Sequence, residues 1–332
     1  MNRRESDRNN HAGFSGGETR PGTAGVSGVP CPVFLVHAAG CGNRRRRSAL
    51  SLRTTAREWR TARFPNRRRI MPLGDFEKSI LRLLAVNRNP ESYIAGATVF
   101  LRREDSLRQS QDIDVFHDTV KSLQQAAWSD AAVLEQNGYV LEWADQQEMF
   151  RRAVVSKAGQ ATKMEWAYDS AFRFFPVQAD AEIGFVLHPL DGATNKVLAL
   201  AGRGELRDYL DVLFLHRNVL SLGALAWAAC GKDAGFTPQF LVEEAQRLAH
   251  YPASRLNTLL LREPLDLVEC KRQWLQALDG AKALFNQLPP EDVGCLYLDA
   301  NHQAVTPDPA SVEFSKLRRH FGSVRGAWPV IA

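Results

Sequence analysis

Between residues 112 and 168 the sequence reads strand, helix, strand, strand, strand, and that order leaves few architectures open. "DIDVF" (112–116) is an apolar run carrying two aspartates at alternate positions. "VKSLQQAAWSDAAVLEQNG" (120–138) repeats apolar residues at helical spacing and stops at Gly138. "YVLEW", "MFRRAVVS" and "TKMEWAY" follow, short runs rich in β-branched and aromatic residues. Upstream, "DFEKSILRLLAVNR" predicts a helix and "SYIAGA" a short strand ending in small residues. Downstream, "FPVQADAEIGFVLH" is ambiguous, whereas "ATNKVLALAG" and "ELRDYLDVLFLHR" predict helices. Beyond about residue 220 the pattern is mainly helical. In "LVECKRQWLQALDGAKALFNQL", Leu267, Trp274, Leu278, Ala281, Phe285 and Leu288 form one stripe suited to core packing. "CLYLDANHQAVTPD" reads as a hairpin turning at Asp299–His302. The order predicts an α/β fold: a small mixed sheet over 71–190, then a mainly helical C-terminal domain over 191–332.

Residues 1–70 differ from everything after them. They hold 15 arginines against four acidic residues, a balance of +11, while the remainder carries −6. They are rich in Gly and Ser, contain "RRRR" at 44–47 and "RRR" at 67–69, and lack a sustained apolar period. This composition predicts a disordered Arg-rich extension. It reads either as a basic arm for nucleic acid or as sequence upstream of a true start at Met71. Five cysteines without a CxxC pair argue against a disulfide framework or a zinc site. No apolar run approaches the roughly 20 residues of a membrane span. A cytoplasmic location, with no membrane partner, is expected.

The aspartates of "DIDVF" need an explanation. In a strand, Asp112 and Asp114 point to the same face, where like charges repel. A hard dication relieves that repulsion. Mg²⁺ takes oxygen ligands, keeps waters and shares phosphate oxygens, so two or three carboxylates suffice. Phosphoryl chemistry uses such sites. A phosphate-binding element is then expected nearby, and Gly96 in "YIAGAT" offers a turn whose backbone can approach a phosphate. A third carboxylate is expected on a neighbouring strand; Glu165 in "TKMEWAYD" is favoured over Asp169, because its setting in an apolar run matches that of the pair.

"AGAT…RQSQDIDVF" resembles the signature of polymerase-β-like nucleotidyltransferases. Within that superfamily, Arg108, Ser110, Asp112 and Asp114 match the Arg-x-Ser-x-Asp-Ile-Asp pattern of the AbiEii/AbiGii abortive-infection toxin family. "NKVLALAGRGELRDYLDVLFL" resembles the same family's Lys…Arg…Arg-Asp-x-x-Asp element. The resemblance covers roughly residues 72–250. Two departures stand out: Ala97 follows Gly96 where Gly or Ser is usual, with Thr98 as the nearest hydroxyl, and the spacer to Asp112 is slightly long. The resemblance implies a sheet of nucleotidyltransferase type and transfer of a nucleoside monophosphate from an NTP. It implies Mg²⁺ on Asp112, Asp114 and Glu165, and phosphates facing Gly96, Ala97 and Thr98, with Arg108 and Ser110 close by. Lys196, with Arg203 and Arg207, would neutralise phosphate charge, and Asp208 and Asp211 would organise the site or activate the acceptor. It also implies a tRNA or other RNA acceptor and an antitoxin partner.

On a nearly continuous helix over 194–215, Lys196, Arg203 and Arg207 fall on one face, with Asp211 placed to orient Arg207. Gly202 and Gly204 would loosen that alignment. Each feature alone has a plainer reading: a solvated Asp-x-Asp, a tight turn at Gly96, a salt-bridged helix face. Their co-occurrence in this order favours the enzyme. A degenerate nucleotide-binding module, or a nucleic-acid-binding protein working through its basic arm, are the alternatives. His117 and His188 read as structural, since a transition-metal site needs more nitrogen or sulfur than either neighbourhood supplies.

Overall fold

The computed structural model describes residues 74–101, 106–110 and 112–329, so the readings for residues 1–70 lie outside the described residues. The first half runs α1 (Asp75–Leu84), β1 (Ser92–Ile94), α2 (Thr98–Leu101), β2 (Asp112–His117), α3 (Val120–Gln136), β3 (Val140–Gln146), β4 (Phe150–Lys157) and β5 (Gln160–Tyr168). Three short strands follow: β6 (Phe172–Arg173), β7 (Gln178–Asp180) and β8 (Gly184–Val186). Then come α4 (Pro189–Arg203), α5 (Leu206–Asn218), α6 (Leu222–Ala229), α7 (Pro238–Leu248) and α8 (Leu267–Phe285). β9 (Cys295–Leu298), β10 (Arg318–Phe321) and β11 (Ser323–Val324) close the described chain. The change from strands to helices falls between β8 and α4.

Seven strands form a mixed sheet in the order β3-β4-β5-β2-β1-β8-β7. β2 runs parallel to β5, and β1 to β8; the other pairs are antiparallel. Alternation sets its two faces. Ile113 and Val115 of β2 and Met164 and Trp166 of β5 are fully buried on one face, which α3 packs against. Asp112, Asp114, Lys163 and Glu165 point to the other.

α3 is held at its start by a capping box, with the Ser122 amide donating to Thr119 Oγ1 at 3.0 Å. Asp130, fully buried within it, accepts from Trp166 Nε1 at 2.7 Å and from Asn87 Nδ2 at 2.8 Å, and pairs with Arg88. A buried carboxylate persists only when so satisfied; this one fastens α3 to β5 and to the chain after α1.

α4 ends at Gly204, which adopts φ +61°; a Cβ there would come within 2.7 Å of Leu248 Cβ. The chain therefore turns, and the expected continuous helix over 194–215 is two helices. α5 and α6 meet at 112° and are largely buried. Among the described residues no single helix is long and apolar enough to cross a membrane. Along α8, Trp274, Leu278, Ala281, Phe285 and the following Leu288 are buried as the stripe requires. Leu267 is 42% exposed and does not join them, because it is the first residue after the Asp266 cap. The turn after β9 forms around the Asp299 carboxylate, which accepts from the Asn301 and Gln303 amides, but the main partner of β9 is β10. One hydrophobic core runs from α1 through the sheet and helices to β9.

Candidate active site

The parallel register of β2 and β5 sets Asp112 beside Lys163 and Asp114 beside Glu165. On this face cations and carboxylates alternate. Lys163 Nζ lies 3.2 Å from Asp112 Oδ2 and 3.1 Å from Glu165 Oε1. Arg152, opposite Glu165 on β4, donates from Nε at 2.9 Å to Glu165 Oε1. Arg207, at the start of α5, donates from Nη1 to Asp112 Oδ2 at 2.9 Å.

Asp114 is the exception: among the described residues its carboxylate makes no hydrogen bond or ion pair. Burial, then the charge of Glu165, pushes its pKa up to about 6, against the opposing pull of Lys196. The backbone of Gly96 lies directly over it. Gly96 adopts φ +61°, and a Cβ there would fall 1.8 Å from Asp114 Oδ2, so this position requires glycine. The Ala95 amide donates to the Asp114 carbonyl at 2.9 Å, fixing the loop to the strand. Ala97 and Thr98 are buried, and among the described residues the Thr98 hydroxyl has no hydrogen-bond partner. The accessible surface of this turn is therefore Gly96 and not the two residues after it. Ser110 is buried and donates to the Asp112 carbonyl at 3.0 Å, a strand-entry contact.

A second ion network lies behind the first, between α4 and α5. Lys196 Nζ sits 2.9 Å from Asp208 Oδ1 and 3.1 Å from Asp211 Oδ2. Arg203 grips Asp208 with two bonds of 2.7 and 3.0 Å. Burial alone would raise the Asp208 carboxyl, but Lys196 and Arg203 hold it well below the usual carboxylate range. Arg108 makes a bidentate pair with Asp211 at 2.8 and 2.7 Å. The segment carrying Arg108 is itself strapped down, the Gln109 amide donating to the Leu260 carbonyl at 2.9 Å.

These contacts correct one expectation and qualify another. Asp211 does not orient Arg207: the break at Gly204 rotates α5 so that Asp211 meets Arg108 and Lys196, while Arg207 reaches Asp112. Lys196 finds its counter-charge in Asp208 and Asp211, so its burial needs no bound ligand. Of the two candidates for a third acid, Glu165 lies beside the aspartates. Asp169 lies past the opposite end of β5, its amide bonded to the His117 carbonyl at 3.0 Å. Among the described residues, however, no three His, Cys, Asp or Glu side chains converge closely enough to hold a metal ion. Glu165 is drawn instead to Lys163 and Arg152. His117 bonds Ser92 Oγ and faces the Ala167 carbonyl, and burial lowers its pKa to about 3. His188 accepts from the Leu190 amide at the start of α4 and stacks on Phe175.

Sequence reasoning passed over Lys163 and Arg152. Lys163 was reachable, because two residues before Glu165 on a strand is the same face. Arg152 depends on the β4–β5 register, which no local pattern reveals.

No family model matches the sequence, and no curated protein matches it significantly. Among solved structures the chain is similar to JHP933 from Helicobacter pylori, at 21% identity and a TM-score of 0.42, over 65% of this chain and 96% of that one. It is also similar to MenT4, the nucleotidyltransferase toxin Rv2826c from Mycobacterium tuberculosis H37Rv, at 13% identity and a TM-score of 0.44, over 65% of this chain and 83% of that one.

Proposed function

We propose that this chain transfers a nucleoside monophosphate from an NTP to an acceptor hydroxyl and releases pyrophosphate. The observation that carries the reading is Asp114: a partly buried carboxylate without a partner among the described residues, beside Asp112 and beneath the Gly96 backbone. Its donor set fits one hard dication. Asp112 Oδ1 and the Asp114 carboxylate would hold Mg²⁺, which completes its shell with water and phosphate oxygens. Bound there, the ion supplies charge neutralisation for the triphosphate.

The remaining groups belong to the chain. The missing Cβ of Gly96 gives the Asp114 carboxylate its room beneath the turn, and the exposed backbone of that turn would face the phosphates. Arg207 and Arg203, both partly exposed at the rim, are placed to neutralise charge developing on the leaving phosphates. Lys196 adds positive potential from behind. Asp208, Asp211 and Arg108 position that lysine and α5; the Asp211 oxygens are occupied by Arg108 and Lys196, so it acts as a positioning residue. In the reaction the acceptor oxygen bonds to the α-phosphorus, the bond to the bridging oxygen of pyrophosphate breaks, and the hydroxyl proton passes to a carboxylate of this face. The motif resemblance supports two finer proposals: an RNA acceptor such as tRNA, and action as the toxin of a toxin–antitoxin pair.

One observation favours a second reading, a nucleotide-binding module without turnover: Asp112 and Glu165 already have protein counter-ions. A single experiment separates the two. Incubation with each labelled NTP, Mg²⁺ and total cellular RNA should transfer label to RNA, and Asp114→Asn should abolish transfer. NTP binding without transfer would establish the module, and neither binding nor transfer would refute both.

A further inference from the structure

We propose that Lys163 occupies the place of a second dication, so that the carboxylate face takes one metal ion and carries the other positive charge as a built-in ammonium. This inference rests on the functional reading above. Lys163 Nζ bridges Asp112 Oδ2 and Glu165 Oε1 at 3.2 and 3.1 Å. A dication shared by two carboxylates of a two-metal site would stand in just such a bridging position. The lysine is fixed there by backbone: it lies in the middle of β5, paired in register with Asp112, and its side chain is only 31% exposed.

The neighbouring cations differ. Arg152 sits on the strand nearer the free edge of the sheet and contacts Glu165 alone, and Arg207 projects from a helix start and contacts Asp112 alone. Lys163 is the cation that contacts both. Asp112, Asp114 and Glu165 face Lys163, Arg152 and Arg207, and among the described residues only Asp114 lacks a direct partner. One dication at Asp114 and Asp112 Oδ1 would give that carboxylate its counter-ion. A second would have to sit against the ammonium, a repulsion that low local dielectric strengthens. Lys163 thereby separates Glu165 from the aspartates as a ligand, which accounts for the absence of a three-acid cluster among the described residues.

The test is a titration of the metal-free full chain with Mn²⁺ alone, counting bound ions by electron paramagnetic resonance, with melting curves alongside. Wild type should bind one Mn²⁺. Lys163→Met should bind two, or bind the first at least tenfold more tightly, and its melting temperature should rise more with Mn²⁺ than that of wild type. Lys163→Arg, which keeps the charge, should bind one ion as wild type does. Two ions in the wild type would overturn the proposal and leave the functional reading intact, as would unaltered stoichiometry and affinity in a folded Lys163→Met. If Lys163→Met does not fold, the wild-type and Lys163→Arg counts decide. No bound Mn²⁺ in any of these proteins would overturn both the proposal and the functional reading.

Discussion

Asp114→Asn should make the metal-free protein more stable at pH 8 while abolishing transfer. The side chain is nearly isosteric, so the change removes charge and little else. Asp114 is raised from an ordinary carboxyl value of 3.8 to about 6, first by burial and then by the Glu165 charge. A folded pKa above the unfolded one means that the folded state holds the proton more tightly, so ionisation costs stability as pH rises through that window. The window runs from about 4 to about 6. A shift of two units corresponds to roughly 3 kcal/mol at most; partial solvent access reduces the expected gain from Asn to about 1–3 kcal/mol. For a chain of this size that is a rise of about 3–10 °C in melting temperature. At pH 4, where Asp114 is protonated in wild type, the difference should shrink toward zero. Differential scanning calorimetry of both proteins in EDTA at pH 4 and pH 8 measures it. A variant equally or less stable than wild type at pH 8, or a gain that does not change with pH, would refute the claim that Asp114 is a strained, unpaired carboxylate. Such strain is the ordinary cost of a site built for a ligand that arrives later.

Other outcomes follow from the same contacts. Affinity for Mn²⁺ should fall below pH 6, approaching tenfold per unit, because the proton competes at Asp114; isothermal titration from pH 5 to pH 8 checks it, and a flat profile would place the metal elsewhere. Gly96→Ala should lose metal binding and transfer together, since the added Cβ lands 1.8 Å from Asp114 Oδ2, while backbone strain costs only about 1–2 kcal/mol of stability. Lys196→Met should lower stability by about 3–5 kcal/mol, the usual cost of stranding a buried ionic partner; a melting temperature within 2–3 °C of wild type, roughly a 1 kcal/mol change, would show that Asp208 and Asp211 do not depend on it. Asp208→Asn should remove stability at neutral pH and flatten the acid limb of the stability profile, because a carboxyl held low contributes above its unfolded pKa and loses that contribution as pH falls.

What was legible in the sequence followed from short periods. Period two placed Asp112 and Asp114 on one face; Glu165 comes beside them through the β2–β5 pairing, which the period alone does not give. The helices and the apolar stripe of α8 came from period 3.6. What was hidden is pairing across long stretches of chain. Arg108 meets Asp211 across 103 residues, and Arg207 meets Asp112 across 95. Neither partner choice is encoded near either residue. The decisive local element was Gly204, read only as a loosening of one helix. Its left-handed turn rotates α5, so the basic element that resembled a single phosphate-facing stripe divides. Arg207 goes to the carboxylates of the sheet, and Lys196 and Arg203 go to acids of their own. The sequence therefore carries the right set of charges, while the fold decides which of them cancel. Among the described residues Asp114 is the one acid of this face left without a direct partner, and no pattern of spacing could have singled it out from Asp112.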